Sequence, residues 1–267
     1  LHGMEERRRD RKATVIAFTR FLPRAVLSSE QWGQAVAKGQ LAGSECANLI
    51  ELAGRVCYDS LGKGRPSAEY HANILASGHG SVVEHVNLTF LIEGVSRGLT
   101  HELVRHRAGT AISQESTRFV DASEQEWAWH PIIQEQIKND LLADTLTEEV
   151  QRVTRGFYSQ AVEVIQHGLH ARGVSSAAAR KQARGAARGA LGNALSTRLV
   201  WTANIRALRN VIEQRATEHA DAEIRLLANA LWEAAYPYCP EYLVYERYDH
   251  PDMAGIGYGL KTEHRKI

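Results

Sequence analysis

Val86, Leu88, Phe90 and Ile92 alternate with His85, Asn87 and Thr89, one apolar side chain at every second position. That period marks a half-buried strand, so the rest of the chain has to supply neighbouring strands and helices to cover its apolar face. The covering helices can be read on both sides. Gln31 to Tyr58 carries helical stretches broken at Gly43-Ser44, and Leu61 to Pro66 is a turn-rich loop. Ser67 to Ser77 predicts a helix stopped by Gly78-His79-Gly80. After Gly94 closes the strand, Val95 to Arg107 returns to helical spacing, with Val95, Leu99 and Leu103 along one side. Ala108 to Ile112, around Gly109, reads as a loop. Glu148 to Gly168 and the Ala- and Arg-rich Ala177 to Leu191 read as helices. The longest helical pattern runs from Ile205 to Ala235 through Leu208, Ile212, Ala216, Ala220, Leu227 and Leu231. Ala13 to Phe21 is a second short strand. No repeat or low-complexity linker divides the chain, which reads as one α/β or α+β domain over 13–250. A basic, disordered segment (1–12) precedes it and a tail (251–267) follows.

The 267 residues are 44% hydrophobic and 24% charged, ordinary for a globular protein. Lys and Arg total 32 against 31 Asp and Glu, a net charge of +1. A nucleic-acid coat or a polybasic membrane anchor would need excess positive charge, so neither partner is expected. Cys46, Cys57 and Cys239 are odd in number and share no C-x-x-C spacing, which argues against a disulfide framework or a zinc ribbon. No apolar run reaches the roughly 18 residues that span a bilayer. The charged N-terminus has no signal-peptide pattern, and Leu1-His2-Gly3 before Met4 reads as a cloning remnant. A cytoplasmic location is expected.

Chemistry concentrates in Arg97 to Arg118, RGLTHELVRHRAGTAISQESTR, with four arginines and two histidines among small and apolar residues. On a helix, Glu102 would lie one turn from Arg105 and His106 and orient either cation. Arg105-His106-Arg107 followed by Ser113, Ser116 and Arg118 suits a phosphate or an anionic ring; a solvated face of ion pairs is the plainer alternative. A second set, Arg206, Arg209, Arg215, Glu218, His219 and Arg225, lies on the long C-terminal pattern. Dinucleotide and phosphate-loop fingerprints are missing, as are the serine-hydrolase elbow and H-E-x-x-H. His79, Glu84 and His85 lack a further ligand of suitable spacing, so no metal is expected.

At these residues the sequence resembles the flavin-dependent thymidylate synthases, whose signature is RHR, seven or eight residues, then S-x-R. Here it reads Arg105-His106-Arg107, eight residues, Ser116-Thr117-Arg118. GHGSVVEHVNLTF (78–90), GVSRGLTHELVRHR (94–107), RKQARGAARGALGNALSTR (180–198) and RATEHADAEIR (215–225) resemble further family segments in the same order. The resemblance implies the family's α/β (α+β) fold with a mixed sheet and long helices, and FAD as cofactor. It implies C5-methylation of dUMP, with methylenetetrahydrofolate and NADPH as co-substrates, in a homotetramer with shared sites.

Carried over by position, Arg105, His106 and Arg107 look like the flavin-contacting triplet, with His79 and Ser81 in a loop facing the flavin. Glu102, Arg105, Gln114, Ser116 and Arg118 look like the nucleotide loop, joined by Arg198. Gln114 is also expected near the cofactor, and Gln214, Arg215 and His219 resemble flavin-side residues. Arg225 looks like the catalytic arginine at the pyrimidine, stabilising charge as C6 accepts hydride. Thr110 stands where many members have Ser, Phe119 where Tyr is common, and Gly192 where Pro is usual; the last would loosen the approach to Arg198. The nearest rival is the same chemistry on UMP in a nucleoside-antibiotic pathway. A non-catalytic nucleotide- or RNA-binding protein is the rival from another class.

Overall fold

The computed structural model describes residues 13–25, 27–138 and 140–265; the expectation for residues 1–12 lies outside them. The chain divides into two compact units. Unit 1 takes residues up to Ile92, Val104–Ile112 and Val200 onward, and unit 2 takes Glu93–Leu103 and Ser113–Leu199.

A four-stranded sheet has the order β1-β2-β4-β3, with β1 Ala13–Phe18, β2 Asn87–Ser96, β3 Thr110–Gln114 and β4 Ser196–Asn204. β1 pairs antiparallel to β2, Ala13 opposite Ile92 and Phe18 opposite Leu88, with a bulge between Val15 and Ala17. Ile205 N–H donates to Val86 O and Arg97 N–H to Leu195 O, so β4 runs antiparallel to β2. Asn204 N–H to Gly109 O and Glu115 N–H to Arg198 O make β3 antiparallel to β4. The period-2 run behaves as read: Val86, Leu88, Phe90 and Ile92 are all fully buried.

In unit 1, helix α1 (Ser29–Ala37) starts with a capping box of Ser28 and Gln31. Helix α2 (Glu45–Cys57) is capped by Ser44, and α3 (Ser67–Ser77) ends where Gly78 takes φ 67°. The expected 31-residue C-terminal helix is two helices, α8 (Ile205–Arg215) and α9 (Ala222–Ala235). The Asp221 side chain accepts from Glu223 N–H and starts α9 afresh, which the unbroken apolar period concealed. Near the C-terminus β6 (Gly259–Lys261) pairs with β5 (Glu246–Tyr248), and Leu260 N–H donates to Ala216 O.

Unit 2 contains α4 (Arg97–Leu103), α5 (Pro131–Ile137), α6 (Leu141–Ala171) and α7 (Ser176–Ala187). Its core gathers Ala122, Tyr158, Ala187 and Leu195, with Trp127, Ala161, Val162 and Leu191 packed against them. Helix α4 stops at Leu103, and residues 110–114 are strand, not loop.

Candidate active site

Ending α4 at Leu103 takes Arg105-His106-Arg107 off the helix, so the one-turn spacing from Glu102 that a continuous helix would give does not form. The triplet sits in a turn of unit 1 that closes at Gly109, whose φ is 69° and where a Cβ would come within 2.4 Å of Asn204 Nδ2. Thr110 Oγ1 fastens this turn by donating to His106 O at 2.8 Å and to Arg107 O at 3.2 Å. Arg105 and Arg107 are exposed, and neither enters an ion pair among the described residues. His106 is half-buried. Its Nε2 accepts a 3.0 Å hydrogen bond from Arg215 Nε at the end of α8. Burial, and then the charge of Arg215, hold the imidazole below its ordinary pKa.

Other expected residues of unit 1 lie on two elements. His79 precedes the 3-10 turn Gly80–His85, its ring edge-on to Tyr58 at 6.0 Å, and Ser81 is exposed on that turn. Glu84 of this turn pairs with Arg206 at the start of α8, 2.6 Å apart. Gln214 is exposed and donates to Asn210 Oδ1. His219 lies in the turn between α8 and α9, not on a helix with Arg215, and its side chain is 85% exposed. Its neighbour Glu218 accepts from Tyr248 Oη.

Arg225, expected at the pyrimidine, is bonded to backbone carbonyls in this structure. It is 3% exposed. Its Nε donates to Ile256 O at 3.1 Å and its Nη1 to Ala220 O at 2.9 Å and Thr217 O at 3.4 Å. Nη2 reaches Met253 O at 3.5 Å. A guanidinium has five N–H donors, so these bonds leave little to offer a pyrimidine. Arg225 ties the α8–α9 turn and the 251–256 segment to α9.

Unit 2 holds the other expected residues. Gln114 Nε2 donates to Thr100 Oγ1 at 3.2 Å and Thr197 Oγ1 at 3.4 Å. Ser116 Oγ accepts from Arg118 N–H, and Glu102 is half-buried near the end of α4. Arg198 is paired with Glu115 at 3.0 Å, which compensates its charge. Two arginines not expected at the site stand near each other in unit 2. Arg97 is held below its ordinary pKa first by burial and then by the like charge of Arg188, against the pull of Glu115. Two cations kept close together favour an anion near them.

Arg118, Phe119, Ala177, Ala178, Arg180, Lys181 and Arg184 line a cavity of about 540 Å³. Arg184 is compensated by Asp121 at 2.7 Å, and Lys181 Nζ stands 4.8 Å above the Phe119 ring. The R-K-x-x-R spacing that puts these cations on α7 was visible in the sequence, but Arg97, Arg188 and Lys181 went unassigned. Gly192 lies close to Trp127, whose ring a Cβ there would meet at 3.1 Å.

The sequence model of the family described as thymidylate synthase complementing protein matches residues 42–241, a span that contains every expected site residue. A flavin-dependent thymidylate synthase of Mycolicibacterium gilvum (strain PYR-GCK) is 43% identical over 186 residues, covering 68% of this chain and 72% of its own. The chain belongs to the flavin-dependent thymidylate synthase family. Another member, from Corynebacterium efficiens, is 41% identical over 190 residues, covering 69% of this chain and 73% of its own. Among solved structures, thymidylate synthase X from Helicobacter pylori with FAD and dUMP matches with a TM-score of 0.52 at 20% identity. It covers 87% of this chain and 96% of that one, and it shows the shared fold. Membership makes the chain a flavin-dependent enzyme of methyltransferase type.

Proposed function

We propose that this enzyme converts dUMP to dTMP by FAD-dependent reductive methylation at C5, with methylenetetrahydrofolate supplying the carbon and NADPH the electrons. The observation that carries the reading is the Arg105-His106-Arg107 turn, with two arginines outside any ion pair among the described residues and a histidine ring bonded by Arg215. Such a turn fits a flavin: cations suit its phosphates and electron-rich ring, and His79 and Ser81 add hydrogen-bonding groups. When bound, FAD supplies hydride to the pyrimidine, so no cysteine nucleophile is required. Cys46 and Cys239 are buried and Cys57 is exposed near the end of α2, outside every proposed site set.

As C6 of the uracil accepts hydride, negative charge develops toward O4 and C5 becomes the nucleophile. A fixed cation or donor at that edge is worth on the order of 3 kcal/mol. We assign this role to Arg215, half-buried and donating to the His106 ring, ahead of Arg225, which is buried and bonded to backbone carbonyls. In unit 2, Arg97, Arg118 and Arg188 are assigned to binding a phosphate group, with Gln114 and Ser116 as neighbouring hydrogen-bonding groups; Arg198 acts through Glu115.

The enzyme is proposed to work as a cytoplasmic homotetramer with sites shared among subunits. Supporting this, α6 leaves Leu142, Leu146, Val150, Val153, Phe157 and Val164 exposed at spacings of three, four and seven, an apolar stripe of the kind that subunit contacts cover. Light scattering should then give four times the chain mass; a monomer would contradict the assembly. No described helix is long and apolar enough to cross a membrane.

Incubating the purified protein with methylenetetrahydrofolate, NADPH and an equal mixture of dUMP and UMP tests the reaction. Formation of dTMP ahead of 5-methyl-UMP is expected. The reverse preference would make the ribonucleotide the substrate, and no methylated product would sink the reading.

A further inference from the structure

Arginine only donates hydrogen bonds, so the Arg215 Nε contact requires a lone pair on His106 Nε2. The imidazole proton must therefore sit on Nδ1. Protonating Nε2 as well would set N–H against N–H at 3.0 Å, beside the charge of Arg215. Arg215 faces the ring from α8, while Arg105 and Arg107 flank it in its own turn. Among the described residues, no carboxylate forms an ion pair with His106. The backbone that carries the ring is itself held, because Thr110 Oγ1 donates to His106 O and the turn closes at Gly109 beside Asn204.

From this geometry we propose that Arg215 is a positioning residue that locks His106 as a neutral imidazole protonated on Nδ1, presenting one fixed donor to an acceptor atom of the bound flavin and carrying no proton in the reaction. The direction of this donor rests on the flavin reading given above; the lock itself does not. A neutral donor leaves the cationic charge of the site to the three arginines. It also keeps that charge constant across the pH range in which an ordinary histidine, with a pKa of about 6.5, would titrate.

The test is nitrogen NMR of the full chain labelled with ¹⁵N-histidine, with His106→Asn used to assign the ring signals. The expected spectrum has His106 in the Nδ1–H form, unchanged between about pH 8 and pH 5.5, where exposed histidines titrate. Arg215→Met should release the ring to a mixture of tautomers and raise its pKa by about one unit or more. Arg215→Lys, which keeps a donor, should restore the Nδ1–H form at least in part. An Nε2–H signal in the unaltered protein, titration near the ordinary value, or a tautomer unmoved by Arg215→Met would each overturn the proposal. Because the spectra need no turnover, their outcome is separate from that of the product assay. A colourless, inactive protein that still shows the lock would remove the flavin reading alone.

Discussion

An arginine is always charged and has nothing to accept with, so its role follows from what accepts from it. Arg225 gives its donors to backbone carbonyls, while buried Arg209 divides its donors between Tyr242 O, His264 O and the Glu213 carboxylate. Arg215 donates to a histidine ring, and Arg105 and Arg107 enter no ion pair among the described residues. Arg225→Leu should therefore leave several buried carbonyls unsatisfied and cost roughly 3 kcal/mol, seen as a melting point lowered by on the order of 10 °C. Arg215→Met should melt close to the unaltered protein yet lose about 10²–10³-fold in turnover. If Arg225→Leu instead melts normally and loses turnover, the two roles are exchanged. His71 gives a pH-dependent counterpart. It is buried, with Nδ1 bonded to Tyr242 Oη at 2.7 Å and Nε2 3.6 Å from Glu51. Burial foremost holds its pKa below the ordinary 6.5. The unfolded chain thus takes up a proton near pH 6.5 that the folded chain refuses. This contribution is complete above pH 6.5 and is lost as pH falls from there toward the folded pKa. Melting temperature should drop over that window, and His71→Gln should flatten the drop.

At the level of elements, the turn after α4 decides where the RHR side chains go. Gly109 combines a positive φ with a Cβ position blocked by Asn204, the residue that caps α8. Gly109→Ala should cost about 1–3 kcal/mol in urea unfolding, from strain and from displacement of that cap; an unchanged midpoint would mean the turn adjusts freely. The same turn shows why legibility differed along the chain. Strand β2 and helix α3 were readable because their signals are local: alternation in one, Pro66 and Gly78 at the ends of the other. The stop of α4 at Leu103 was not readable, since Val95, Leu99 and Leu103 keep helical spacing while Gly94 and Val95 are in strand. Strands β3 and β4 went unread because their pairing partners lie roughly ninety residues apart, and nothing local announces them. The α8–α9 break left a readable signal, Asp221 with Glu223 in the first turn, masked by apolar residues on both sides. For the site, motif positions located the residues, but neither the compensation of Arg198 by Glu115 nor the saturation of Arg225 has any mark in sequence.

For the molecule as a whole, the proposed residues fall into two sets with different chemistry. Unit 1 offers the RHR turn, His79 and Arg215; unit 2 offers Arg97, Arg118, Arg188 and the cationic cavity at α7. A net charge of +1 means these positive surfaces are local concentrations and not a general property of the chain. That matches recognition of small phosphorylated molecules better than of a polyanion. The central claim is that electrons pass from NADPH through a bound flavin to a uridylate, and one measurement addresses it most directly. The visible spectrum of the purified protein is recorded anaerobically before and after NADPH, then after dUMP with methylenetetrahydrofolate. The account predicts a flavin band that bleaches with NADPH and returns only when both dUMP and methylenetetrahydrofolate are added, with dTMP formed in equal amount. A protein that neither carries nor binds FAD, or a bleached band that those substrates fail to restore, would contradict it.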